Sequence, residues 1–129
     1  MDTLKIAIAG TGTVGSGVLE LLLKNKIHIE KRINKKIFIS AVTSRKKKNI
    51  KNKVGSKTII FENANQLVNF DDYDILIELI GGDEGVAKKI IFDALGKGKN
   101  IVTANKALVA KYGFDLLNVA EKNKCRIAF

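Results

Sequence analysis

Apolar residues fall along this chain in short runs whose period keeps switching between two and about three and a half. "LKIAIAG" (4–10) alternates and ends on glycine, the pattern of a short buried strand. "GTGTVGSGVLELLLKN" (10–25) turns on glycine and then carries Val14, Val18, Leu21 and Leu22 at helical spacing. "KKIFISAVT" (35–43) is a β-branched strand, and "SRKKKNIKNKVGS" (44–56), with no apolar period, reads as a solvated loop. "KTIIF" (57–61) predicts a short strand and "ENANQLVN" (62–69) one or two helical turns. "YDILIELIGG" (73–82) is the strongest buried strand, closed by a Gly-Gly turn. "DEGVAKKIIFDALGKGK" (83–99) sets Val86, Ile90, Ile91, Ala94 and Leu95 on one helical face, with acids at its start and Gly96 and Gly98 at its stop. "NIVT" (100–103) predicts a strand, 105–123 a helix with a break at Gly113, and "CRIAF" (125–129) the start of another strand.

Strands alternating with helices in short units predict an α/β fold, a doubly wound and mostly parallel sheet covered on both faces. With 129 residues and 46% hydrophobic content, 1–129 reads as a single domain with its own core. No internal repeat or inter-domain linker interrupts it. No segment approaches the roughly 20 apolar residues of a membrane span. The start Met1-Asp2-Thr3 lacks the basic region of a signal peptide. One cysteine, Cys125, permits no internal disulfide, which suits a reducing compartment and makes the cytoplasm the expected location. The chain stops just as its last strand gets under way, so a piece of something longer is expected.

The formal charge of +10 invites a nucleic-acid reading, but its distribution is lopsided. Residues 1–65 hold 14 Lys/Arg against 4 Asp/Glu, whereas 66–129 hold 9 of each. Lysine outnumbers arginine 20 to 3, a pattern that a background codon bias produces, although bias alone would not charge only one half. Two tyrosines and no tryptophan leave few stacking platforms, and no nucleic-acid motif is present, so no nucleic-acid partner is expected.

Gly10-Thr11-Gly12-Thr13-Val14-Gly15 matches G-x-G-x-x-G. Such hexamers arise by chance, but this one follows a strand and opens a helix, the context that a dinucleotide-binding turn requires. The first glycine permits the tight turn, the second lets the backbone approach a pyrophosphate, and the third lets helix pack on strand. The helix N-terminus then offers unpaired N–H groups to the phosphates. A site preferring NAD usually carries an acid at the end of the second strand, yet there is no acid from 31 to 61. Arg45, nearest that strand end and followed by lysines, points toward the 2′-phosphate of NADP. Lys47 and Lys48 stay open between that role and a solvated basic loop.

Ligands of a doubly wound sheet bind where the carboxyl ends of the strands meet the crevice. Gly81-Gly82 and Thr103-Ala104-Asn105-Lys106 follow the fourth and fifth strands, so both belong to that edge. Lys106, at the start of a helix where a cation sits poorly, is expected to face the nicotinamide end and not to be a mere surface charge. Glu78, an acid inside "ILIELI", needs a partner if buried. It reads either as an active-site group at the strand's mouth or as an acceptor for backbone amides. His28 and Cys125 have no companions at ligand spacing and read as structural. No metal or nucleophile constellation appears.

Together "IAGTGTVGSGVLELL", "DILIELIGG" and "GKNIVTANKALVA" resemble the N-terminal NAD(P)-binding domain of homoserine dehydrogenase, from about residue 4 to the end. The two later motifs are more specific than the glycine loop. The resemblance implies a Rossmann-like fold and NAD(P)-dependent interconversion of L-homoserine and L-aspartate 4-semialdehyde, in the pathway to threonine, isoleucine and methionine. Carried over by position, Ala9, Gly10, Thr11, Gly12, Thr13, Val14, Gly15 and Ser16 would hold the pyrophosphate and Arg45 would lie near the adenosine ribose. Gly81 would line the cofactor edge and Thr103 would lie near the nicotinamide. Lys106 would contact the cofactor–substrate junction and help move the proton that accompanies hydride transfer.

The departure from the family is length. Its members continue into a substrate-binding and dimerisation domain, sometimes followed by a regulatory one, which brings a second catalytic lysine and most substrate contacts. This chain is therefore expected to bind NADP or NAD with little or no turnover. It would meet a small-molecule substrate only with that further domain, inside a homo-oligomer. The rival reading is an NAD-sensing regulatory domain of a potassium-transport system, which would need no lysine at the nicotinamide end.

Overall fold

The computed structural model describes residues 2–129. Six strands form one parallel sheet: β1 (Thr3–Ala9), β2 (Lys36–Thr43), β3 (Ile59–Phe61), β4 (Ile75–Glu78), β5 (Asn100–Thr103) and β6 (Ile127–Ala128). Their spatial order is β3-β2-β1-β4-β5-β6, so the order reverses between β1 and β4, the switch point of a doubly wound fold. Five α-helices cover the sheet: α1 (Thr13–Lys24), α2 (Lys26–Ile33), α3 (Lys47–Val54), α4 (Val86–Gly96) and α5 (Lys106–Lys122). A 3-10 helix, Ala64–Asn69, joins β3 to the β4 side.

Each face of the sheet has its own core. On one, Ala7, Ala9, Leu76 and Ile101 pack with Ile90, Ile91 and Leu95 of α4 and Leu108 and Leu116 of α5. On the other, Ile6, Ile8, Ile37, Ile39 and Val42 meet Leu19 of α1 and Ile50 of α3. The strict two-residue alternation breaks inside β2, where the β1 register jumps from Ile6↔Ile39 to Ala7↔Ala41. That extra residue at Ser40 turns Val42 onto the same face as Ile37 and Ile39, as a bulge does.

Three expectations need correcting. Residues 44–56 are not all solvated loop, because 47–54 form α3. Its only apolar residues, Ile50 and Val54, stand four apart, and that single stripe, with Ile50 buried, suffices to dock one short helix. Helix α2 was not evident from apolar spacing. Its buried residue is Glu30, whose carboxylate accepts the backbone N–H of Ile37 at 2.7 Å and so ties the helix to the start of β2. The strand expected over 73–82 is only Ile75–Glu78, because beyond it the amides of Ile80 and Gly81 donate to the Glu78 carboxylate and not to a neighbouring strand. The break expected at Gly113 falls one residue earlier, at Tyr112 (φ −121°, ψ 15°). Among the described residues, no helix is long and apolar enough to cross a membrane.

Candidate dinucleotide-binding site

The glycine loop sits between the end of β1 and the start of α1, at the switch point. Gly10 has φ +94°, a backbone conformation that favours glycine, and it lets the chain leave β1 sharply. Gly12 precedes α1 in an extended conformation, and a Cβ built on it meets no heavy atom within 4 Å. A Cβ on Gly15 would lie 1.8 Å from the Gly10 carbonyl oxygen, so only glycine lets α1 come this close to the turn. The three positions thus divide the work as the motif requires: turn, open approach and close packing.

Side chains from β2 fix the loop's shape. The Gly10 amide donates to the Thr43 hydroxyl at 2.8 Å, and the Thr11 hydroxyl donates to the Thr43 carbonyl at 2.7 Å. The Ser16 hydroxyl donates back to the Thr11 carbonyl at 2.9 Å. Helix α1 has no side-chain cap, so its first-turn amides, which no helix pairs internally, remain for an anion.

A cleft of about 820 Å³ opens beside this loop. Gly10, Thr11, Gly12 and Ser16 form one wall, Thr43, Ser44 and Arg45 the end of β2, and Leu79 and Ile80 the end of β4. Lys46, Asn49, Ile50 and Lys53 line it from α3 and its N-cap, with Glu62, the one acid of the lining, and Asn63, Ala64 and Val86 completing it. The exposed Arg45 and Lys46 thus supply cations beside the glycine loop, while Glu62 lines the same cleft. Lys53 is paired with Glu20 at 2.9 Å and Lys47 with Glu62 at 3.7 Å.

Of the site residues expected from sequence, Gly10, Thr11, Gly12, Ser16 and Arg45 line the cleft. Ala9 is buried as the last residue of β1, Gly15 is buried in the turn, Thr13 opens α1, and Val14 is exposed outside the cleft wall. Lys47 and Lys48 do not line it either. Lys46, one of the lysines expected to follow Arg45, lines it, whereas Asn49 and Lys53 were missed, and their spacing of four is the signal a helical reading of 47–54 would have supplied.

Gly81, Thr103 and Lys106 stand outside that cleft wall, at the β4 and β5 ends of the same carboxyl edge. Gly81 has φ +89°, and its amide donates to Glu78 at 3.1 Å. Thr103 is buried, its hydroxyl already committed to the Glu78 carboxylate at 2.9 Å. Lys106 is the first residue of α5, exposed, and absent from every ion pair found among the described residues. Asn105 before it caps the helix by accepting the Leu108 amide at 3.1 Å.

The other candidates resolve as structure. Glu78 is fully buried and serves as an acceptor for amides and a hydroxyl, the second of its two readings. His28 is exposed on α2, and no group of ligating side chains exists among the described residues. Cys125 packs half-buried under α5, where burial pushes its thiol pKa up, away from reactivity.

The residues therefore fit a dinucleotide: an open glycine cradle at a helix N-terminus, a cleft of cofactor size, and cations where the second strand ends. Comparison with known proteins agrees. The family model for the NAD-binding domain of homoserine dehydrogenase matches residues 10–129. The homoserine dehydrogenase of Neisseria gonorrhoeae is 35% identical over 129 residues, covering 100% of this chain and 29% of that protein. That of Bacillus subtilis is 32% identical, covering 100% of this chain and 30% of its own length. The crystal structure of the Staphylococcus aureus enzyme superposes with a TM-score of 0.85 at 34% identity, over 100% of this chain and 32% of that one. A hyperthermophilic archaeal homoserine dehydrogenase in complex with NADPH gives 0.77 at 25% identity, covering 98% and 43%. The potassium-transport alternative gains no support from these matches. The chain spans about 30% of the curated relatives it matches, and over that span it belongs to the homoserine dehydrogenase NAD-binding domain family.

Proposed function

We propose that this chain is the cofactor-binding part of an NAD(P)-dependent homoserine dehydrogenase that interconverts L-homoserine and L-aspartate 4-semialdehyde. The observation that carries the reading is the open Gly12 cradle beside Arg45, on an edge that also bears Lys106. When bound, the dinucleotide supplies the hydride acceptor for the alcohol or the donor for the aldehyde. The chain's own residues do the rest. Backbone from Ala9 to Ser16 and the first turn of α1 hold the pyrophosphate. Arg45, with Lys46, neutralises a 2′-phosphate, so NADP binds at least as well as NAD. Gly81 and Thr103 shape the nicotinamide side, and the Lys106 ammonium donates a hydrogen bond to the substrate oxygen and passes a proton as charge develops there.

A further domain brings the small-molecule substrate, within a homo-oligomer in the cytoplasm, and neither nucleic acid nor a membrane is a partner. Alone, 1–129 binds cofactor without turnover. In the full-length protein, Lys106→Ala should lower homoserine oxidation by roughly 10²-fold or more, the scale of a positioned acid–base group, with NADP affinity little changed. Steady-state kinetics checks this. Turnover within a few-fold of the unaltered protein would return Lys106 to an ordinary surface charge.

A further inference from the structure

Ala9, Glu78 and Thr103 end three adjacent strands in one row, Ala9 pairing with Glu78 and Glu78 with Thr103. Glu78 is 0% exposed. One carboxylate oxygen accepts the amides of Ile80 at 3.0 Å and Gly81 at 3.1 Å, and the other accepts the Thr103 hydroxyl at 2.9 Å. The Thr103 oxygen in turn accepts the Asn105 amide at 3.0 Å, and the Asn105 side chain donates to the carbonyl of Gly82. The contacts close a ring: Glu78, the Gly81-Gly82 turn, Asn105, Thr103 and back to Glu78.

A leucine at this position would serve the core without a buried charge to satisfy. A carboxylate only accepts, and each of these three partners donates; a neutral amide would turn an N–H toward the Thr103 hydroxyl, whose oxygen can accept it only with the hydroxyl's own proton turned away from residue 78. Gly81 and Gly82, at φ +89° and +87°, have little intrinsic reason to hold one shape. The ring supplies that reason, and its next residue along the chain is Lys106. We propose that Glu78 is a positioning residue for the nicotinamide half of the dinucleotide, locking the two turns that flank it while leaving the adenosine half to the glycine loop and Arg45. This rests on the dinucleotide reading above.

Half-ligands separate positioning from simple stability. NADPH and 2′,5′-ADP, which lacks the nicotinamide, are titrated into the unaltered protein, Glu78→Gln and Asn105→Asp. The second variant keeps an oxygen to cap α5 but loses the donor to Gly82, so it carries the test if Glu78→Gln fails to fold. The expected result is a loss of tenfold or more in NADPH affinity, with the nicotinamide fluorescence change diminished, while 2′,5′-ADP binds within twofold of the unaltered protein. Equal weakening of both ligands, or of neither, overturns the positioning role and leaves the dinucleotide reading standing. Failure of the unaltered protein to bind either ligand overturns that reading, and this one with it.

Discussion

At Gly15 an added Cβ would lie 1.8 Å from a carbonyl oxygen, while at Gly12 it would meet nothing within 4 Å. The same kind of substitution should therefore act on different properties three residues apart. Gly15→Ala should destabilise by roughly 1–3 kcal/mol or more, the scale of overpacking, because the oxygen it strikes is backbone and cannot swing aside. Gly12→Val should leave stability within about 0.5 kcal/mol yet abolish dinucleotide binding, since its methyls fill the space the pyrophosphate needs. Urea denaturation and calorimetry, run on both variants, check the split; similar stability losses in the two would contradict it. Arg45 invites a finer test. If its guanidinium reads the 2′-phosphate, Arg45→Ala should weaken NADP by about tenfold, the worth of one charge-assisted hydrogen bond of about 1.5 kcal/mol, and leave NAD nearly unchanged. Parallel loss of both cofactors would assign it to the shared part of the ligand.

The turn between β4 and α4 is held at its far side by an exposed cluster. Glu84 accepts the Tyr112 hydroxyl and the Lys111 ammonium, the latter at 2.9 Å, with Lys88 at 3.4 Å. Tyr112 first, then Lys111, hold the Glu84 pKa down at about 2, below its ordinary 4.5. Folding therefore favours the charged form. That contribution is whole above about pH 4.5 and is lost as pH falls toward 2. Melting temperature should thus fall less steeply across this window in Glu84→Gln than in the unaltered protein, modestly so because the group is exposed. Parallel slopes would show that the cluster does not act through the Glu84 charge. The same elements show what patterning can carry. β1, α4 and β5 were legible because long or bounded apolar runs leave one period open. Helix α3 was not, for Ile50 and Val54 are too few to set a period, and its place among the lysines that reach the cleft went unread with it. Nor could spacing reveal that Glu78 ends β4 early, because that depends on amides two and three residues ahead and a hydroxyl from another strand.

On the scale of the whole molecule the lopsided charge takes on an address. The basic first half builds β1, α1, β2 and α3, which form most of the cleft beside the glycine loop, while the balanced second half closes it with Leu79, Ile80 and Val86 and builds the β4 and β5 ends and Lys106. The switch point between β1 and β4 sets both along one carboxyl edge of the sheet. The doubly wound parallel sheet, the glycine loop and the place of Lys106 at a strand–helix turn were all legible, since each rests on local pattern plus one topological rule; the order of the strands was not. Which lysines face the cleft was not, because that depends on helix phase. Whether a single dinucleotide spans both halves is decided by a crystal structure of the protein with NADPH. The pyrophosphate is expected against Gly12 and the first turn of α1, the 2′-phosphate at Arg45, and the nicotinamide on the β4–β5 side within reach of Lys106. A cofactor bound with its nicotinamide away from Lys106, or no cofactor at millimolar NADPH, would contradict it.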